Sequence, residues 1–220
     1  MYKENLKNII KELSLGNNKG EKITLIGATK TISPEVINEA ISLGLTVVAE
    51  NRVQEFREKT EFIDKRARQD FIGHLQTNKV KYLVGKVDTI HSVDNVNLAN
   101  EISKRAKSLN LTQKILMEIN IGGELSKSGF SKENAIQSAL SLSKLDNVKL
   151  VGIMAMLPKS DNEEYLSTLS RKVRDIYDKL NEMGLNLNML SMGMSNDYKI
   201  AIKNGSNAVR LGSIIFGKRI

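Results

Sequence analysis

The chain has no cysteine and no tryptophan, and only two prolines and two histidines among its 220 residues. Without cysteine there is no disulfide, thiolate nucleophile or zinc ribbon, so the fold must rest on packing, and a reducing compartment suits it. Aromatic residues make up 5% of the chain. None is interleaved with the dense basic stretches Lys65-Arg66-Ala67-Arg68, Lys104-Arg105-Ala106-Lys107 and Lys218-Arg219. The net charge of +8, from 33 Lys plus Arg against 25 Asp plus Glu, is therefore read as solvated helix faces, and no nucleic-acid partner is expected. No apolar run approaches the roughly 18 residues of a membrane span, and the charged segment Met1 to Gly16 lacks the apolar stretch of a signal peptide. A cytoplasmic protein with no membrane partner is the expectation.

What is present is an alternation of short Ile/Val/Leu-rich runs with longer amphipathic segments. Eight strands are predicted: Thr24 to Thr29, Thr46 to Glu50, Asp70 to Gly73, Thr89 to Ser92, Lys114 to Asn120, Val148 to Met156, Met189 to Met192 and Ala208 to Leu211. Helix starts fall between them at Ser33-Pro34-Glu35, Asp94-Asn95, Ser131-Lys132-Glu133 and Asp161-Asn162, with stops at Gly44 and Gly184. Strict alternation, preceded by an extra helix from Tyr2 to Leu15, predicts one (β/α)8 TIM barrel spanning residues 1–220 as a single domain. An open doubly wound sheet is the alternative. Closure is favoured because the strands are short, no Gly-x-Gly-x-x-Gly follows the first, and the polar candidates all sit at strand C-terminal ends.

Those candidates suggest a chemistry. Lys30 ends the first strand, where a barrel would aim its amine into the mouth for use as a nucleophile; a snorkelling lysine is the plainer reading. Asn51 follows the second strand and is either a ring contact or the cap of a helix running Val53 to Phe62. His74 follows Gly73 and could serve the site or bond within its loop, whereas His91 is read as barrel interior. Without metal-ligand spacing around either histidine, no metal is expected. Lys127, in the loop Asn120 to Phe130, is an auxiliary amine or a solvated loop residue.

Phosphate in such barrels commonly sits on the loops after strands seven and eight. Here those loops are Ser191-Met192-Gly193-Met194-Ser195-Asn196-Asp197 and Gly212-Ser213, so Ser195, Gly212 and Ser213 are the predicted cradle, with helix capping as the competing role. Arg210, if it faces inward, would meet the phosphate or a pyridine nitrogen. A guanidinium donor there would hold an electron-accepting ring while activating it weakly. An amine beside a phosphate cradle suits an aldehyde-bearing phosphate such as pyridoxal 5'-phosphate.

Taken in order, the blocks Ala28-Thr29-Lys30-Thr31, Glu50-Asn51-Arg52-Val53-Gln54-Glu55, Phe71 to Lys79, Gly123 to Gly129, Gly152 to Met156, Leu190 to Asp197 and Arg210 to Gly217 resemble the pyridoxal-phosphate homeostasis proteins. These are the YggS and PROSC family of the alanine-racemase-like barrels, and the resemblance covers nearly the whole chain. It implies that Lys30 forms a Schiff base with pyridoxal 5'-phosphate, that Asn51 borders the ring, and that Ser195, Gly212 and Ser213 hold the phosphate near Arg210. Met192 is included among the cofactor-binding positions, and Lys127 is implied in handover to PLP-dependent apo-enzymes. Ala49 stands where the family usually has glycine, and Gln69-Asp70 replace its usual Trp-His. The expected function is a monomeric carrier that buffers or transfers the cofactor with little or no turnover.

A PLP-dependent amino-acid racemase is the alternative. Such enzymes add a C-terminal β-domain with a catalytic tyrosine, for which the three residues after Gly217 leave no expected counterpart. Of the five tyrosines only Tyr198 is placed to act opposite Lys30. A Schiff-base aldolase would need Glu50 as its acid or base.

Overall fold

The computed structural model describes residues 2–124 and 128–217. In chain order the elements are α1 (Tyr2–Leu13), β1 (Thr24–Ala28), α2 (Pro34–Ser42), β2 (Val47–Glu50), α3 (Val53–Lys59), β3 (Arg68–Phe71), β4 (Thr89–Val93), α4 (Val96–Ser108) and β5 (Gln113–Asn120). They continue with β6 (Phe130–Ser131), α5 (Ala135–Leu142), β7 (Val148–Ala155), α6 (Glu163–Glu182), β8 (Met189–Met192), α7 (Tyr198–Lys203), β9 (Ala208–Leu211) and α8 (Ser213–Phe216). Short 3₁₀ turns at Thr60–Phe62 and Thr77–Tyr82 follow α3 and β3.

The strands pair in the order β4-β3-β2-β1-β9-β8-β7-β5, all parallel. A further pairing of β4 with β5, Thr89 against Lys114 and Ile90 against Ile115, closes the ring into an eight-stranded barrel. The first strand thus lies beside the last, with Ile26 opposite Arg210. The two-residue β6 attaches beside the end of β5.

Local chemistry accounts for the helix ends. Asn95 Oδ1 accepts from the Leu98 N–H at 2.8 Å to cap α4, and Asn162 Oδ1 does the same from Tyr165 at 2.9 Å for α6. The long helix α6 buries Leu166, Leu169, Val173, Tyr177 and Leu180, the spacing that a 3.6-residue turn puts on one face. Gly44 and Gly184, at φ 107° and 88°, stop α2 and α6. Three expectations need correction. Ser33 occupies the cap position of α2 but makes no side-chain capping bond. The Ser131 helix starts later, at Ala135, because Phe130 and Ser131 pair with β5 first. The third strand begins two residues earlier than its apolar residues suggest, at Arg68, because its polar side chains find buried partners inside the barrel.

The core is layered. Ile26, Val47, Ala49, Leu116, Val151, Met154, Met189 and Ala208 pack together as the barrel's apolar filling. Outside the strands, α1 and α2 cover Leu25, Val48, Val209 and Leu211, and α4, α5 and α6 cover the side formed by β4 to β8. Strands buried on both faces explain the nearly continuous apolar runs in the sequence. Asp70, His91, Glu118, Ser191 and Arg210 are also buried. In register with Ala49, Met154 and Ile26, the residues Asp70, Glu118, Ser191 and Arg210 put polar groups among the inward-facing positions.

Candidate functional site at the barrel mouth

Lys30 lies two residues beyond β1 in a tight turn, half-buried. Its neighbours are firmly held. Thr29 donates its N–H to the Ala49 carbonyl at 3.0 Å and its hydroxyl to Ala49 O and Glu50 Oε1 at 3.1 and 2.8 Å. Thr31 takes the left-handed backbone at φ 65°, which few β-branched residues adopt, and donates its N–H to Glu55 Oε2 at 2.6 Å.

The lysine opens onto a cleft of about 780 Å³ whose lining also includes Ser195, Asp197, Arg210, Gly212 and Ser213, with Pro158, Lys159 and Asp161 from the loop between β7 and α6. A site of this size suits a small phosphorylated molecule. Gly193, at φ 100°, turns the chain out of β8 where a Cβ would come within 2.9 Å of the Tyr198 backbone. Asp197 Oδ1 then accepts from the Met194 N–H at 2.5 Å and shapes the loop that presents Ser195. The Ile214 N–H donates to Ser195 Oγ at 3.4 Å, tying this loop to the first turn of α8, which Gly212 opens.

Arg210 crosses the interior. Its Nη1 donates to the carbonyl and hydroxyl oxygens of Ser191 at 2.8 and 2.7 Å, and its Nη2 to Ala155 O at 3.0 Å. Burial pushes its guanidinium down to about 10, while the Glu118 and Asp197 carboxylates pull it back up, so it stays a cation at neutral pH. Burial, reinforced by the Asp94 carboxylate, pushes Glu118 up to about 7 against the opposing pull of Arg210 and His74. His91 is fully buried with Nε2 3.1 Å from Asp70 Oδ2, and burial lowers its pKa despite that carboxylate.

The structure therefore brings together Lys30, Ser195, Arg210, Gly212 and Ser213. It does not bring Met192, whose side chain packs in the helix-side core; strand alternation turns it away from the face that carries Ser191 to Arg210. Asn51 and His74 line a separate cleft of about 290 Å³, together with Arg52, Arg57, Lys79 and Tyr82. Asn51 does not cap α3, since Arg52 occupies that position. Its Oδ1 is buried and accepts no hydrogen bond among the described residues. His74 Nδ1 lies 3.3 Å from Asp94 Oδ2 and 3.4 Å from Ser128 Oγ. Lys127 lies outside the described residues.

No tyrosine is among the described residues lining the Lys30 cleft. The Tyr198 hydroxyl donates to Glu12 Oε2 at 3.0 Å, pointing towards α1, and that of Tyr177 to Leu187 O at 2.8 Å. Glu50 is spent on Thr29 and on Lys59, whose Nζ lies 3.0 Å away. Sequence reading missed Glu118 and Asp197. The signal for Glu118 was a carboxylate inside the apolar run Ile115 to Ile121, which a parallel strand buries; Asp197 carried no signal distinguishing it from an ordinary loop acid.

Comparison with known proteins adds to this geometry. The family model of the alanine racemase N-terminal domain matches residues 31–219. The pyridoxal phosphate homeostasis protein of Aquifex aeolicus is 48% identical over 197 residues, covering 89% of this chain and 86% of its own length. The structure of PipY from Synechococcus elongatus PCC7942 with PLP bound superposes with a TM-score of 0.87 at 27% identity, covering 99% of this chain and all of that one. An alanine racemase from Clostridium difficile 630 shares the fold at 21% identity and a TM-score of 0.78, covering 98% of this chain and 57% of its own.

Proposed function

This chain belongs to the pyridoxal phosphate homeostasis family of alanine-racemase-like barrels, and from that premise we propose that it binds pyridoxal 5'-phosphate at the barrel mouth and buffers or transfers it with little or no turnover. The observation that carries the reading is one cleft shared by Lys30, Ser195, Gly212, Ser213 and Arg210. The donor set fits this molecule: a primary amine for the aldehyde, two hydroxyls and the glycine-opened start of α8 for the phosphate, and a buried guanidinium as a fixed positive charge. When bound, the cofactor would supply an aldehyde open to a primary amine, the group that Lys30 offers at the mouth.

This chain's own residues do the rest. Ser195 and Ser213 would orient the phosphate end, and the clamped Thr29 and Thr31 hold the lysine at the rim. Arg210, already committed to Ser191 and Ala155, would act through charge and position more than through proton exchange, because a guanidinium holds its protons at neutral pH.

The expectation of low turnover rests on the two residues singled out as a candidate second acid or base. Racemisation needs a second acid or base across the site, and Tyr198 and Glu50 are both engaged elsewhere. In this reading the carrier works as a monomer in the cytoplasm and hands its cofactor to apo-enzymes. Titration of the purified protein with pyridoxal 5'-phosphate tests the reading. A visible absorption band is expected in the wild type and lost in Lys30→Ala; a band that persists in the variant defeats the lysine assignment. Incubation of the loaded protein with amino acids should give neither stereoinversion nor carbon dioxide at an enzymatic rate, and robust turnover would favour the racemase alternative.

A further inference from the structure

We propose that Lys59 and Glu55 are positioning residues for Lys30, one turn of α3 gripping the peptide groups on both sides of the lysine. This rests on the use of Lys30 as the aldehyde-capturing amine. The two residues are four apart, so a helix places them on one face, and their charged groups meet at 2.9 Å. From there they reach in opposite senses. Lys59 Nζ donates to the Thr29 carbonyl at 3.1 Å, and Glu55 Oε2 accepts from the Thr31 N–H at 2.6 Å. The carbonyl before Lys30 and the N–H after it are thus held by a single ion pair.

The side chains of the grip are largely shielded, although Thr31 itself lies at the exposed edge. Lys59 is 13% exposed, Glu55 17% and Glu50 7%, and the three Nζ protons of Lys59 have three acceptors in Thr29 O, Glu50 Oε1 and Glu55 Oε2. Burial alone would push the Glu55 carboxyl up. The Lys59 hydrogen bond and the Thr31 N–H outweigh it and hold the group below the ordinary carboxylate range, as a charged acceptor. Glu50 anchors the same ammonium to β2 while holding the Thr29 hydroxyl.

Thr31 gives the arrangement its significance. A β-branched residue at φ 65° persists only where its surroundings over-determine it. This turn sets the direction in which the next residue back, Lys30, leaves the backbone. A lysine has four rotatable side-chain bonds, so fixing its root narrows where its amine can reach.

The test compares two probes on the full chain: pyridoxal 5'-phosphate, and pyridoxine 5'-phosphate, which has the phosphate and ring but no aldehyde. Lys59→Met is expected to weaken binding of the aldehyde by roughly tenfold or more, as misplacement of a reacting group does, while leaving the affinity for pyridoxine 5'-phosphate unchanged. Glu55→Gln should fall in the same direction, and Lys59→Arg, which keeps the cation, should recover most of the loss. An equal loss on both probes, or no loss on either, would overturn the assignment, since a purely structural role does not distinguish them. If the variants do not fold, amide hydrogen exchange in the wild type decides: a slowly exchanging Thr31 N–H is expected, and a fast one refutes the grip. Should Lys30→Ala match the wild type on both probes, the lysine assignment fails, whereas Thr31 exchange still tests the clamp.

Discussion

Arg210 Nη1 holds both oxygens of Ser191, the carbonyl at 2.8 Å and the hydroxyl at 2.7 Å. With Nη2 on Ala155 O, one guanidinium from β9 ties together the ends of β8 and β7 beneath the mouth. The planar fork serves these three acceptors from two nitrogens set at a fixed separation. Arg210→Met should therefore leave buried carbonyls unpaired and cost on the order of 3 kcal/mol in urea unfolding of the cofactor-free protein. Arg210→Lys should recover less than half of that loss. A variant as stable as the wild type would show that water replaces the fork.

Glu118 gives the stability a pH dependence of defined sign. Burial, with Asp94, raises its carboxyl from 4.5 to about 7, so between those values the folded chain keeps a proton that the unfolded chain has released. Its contribution is fully present below the unfolded value and is lost as pH rises through about 7, by on the order of 3 kcal/mol in all. Glu118→Gln has no proton to lose. Its unfolding free energy relative to wild type should grow from pH 5 to pH 8, and parallel pH profiles would contradict the assignment.

Tyr198 should matter to the scaffold and not to the chemistry. Its hydroxyl links α7 to Glu12 on α1, so Tyr198→Phe should cost about 1 kcal/mol of stability. The absorption band formed with pyridoxal 5'-phosphate should be unchanged. A loss of that band with stability intact would return Tyr198 to the site.

The proposed handover has a direct test in Lys127. Transfer from the loaded protein to a PLP-dependent apo-enzyme, followed by recovered activity of the acceptor, should slow in Lys127→Ala while binding stays at the wild-type level. Equal transfer rates would remove Lys127 from the pathway.

Much of the fold was legible because its signals are local. Met189 to Met192 and Ala208 to Leu211 are strands with the predicted bounds, and Asn95 and Asn162 cap the helices they precede. Arg68 and Asp70 obscured the start of the third strand, because a charged side chain reads as surface until its partner is known. Asp70 has His91 twenty-one residues away. Phe130 and Ser131 form a strand only because β5 offers an edge, which no property of two residues announces.

The candidate site divides in the same way. Lys30, Ser195, Gly212 and Ser213 could be picked out because each comes just after an apolar run, and parallel strands in a barrel deliver their C-terminal loops to one mouth. Met192 could not be oriented, since a strand's two faces alternate and only its neighbours decide which one looks inward. Asn51 likewise goes to the neighbouring cleft by the path of one loop. By itself the sequence determined the alternation of the eight barrel strands with helices, several of their ends and the residue types at the strand termini, all set by interactions within a few positions. Only the tertiary structure decided which of these residues meet: the β4–β5 pairing that closes the ring, the inward reach of Arg210, and the grip of Lys59 and Glu55 about Lys30. Those contacts join residues far apart along the chain, and their geometry exists only once the barrel has closed.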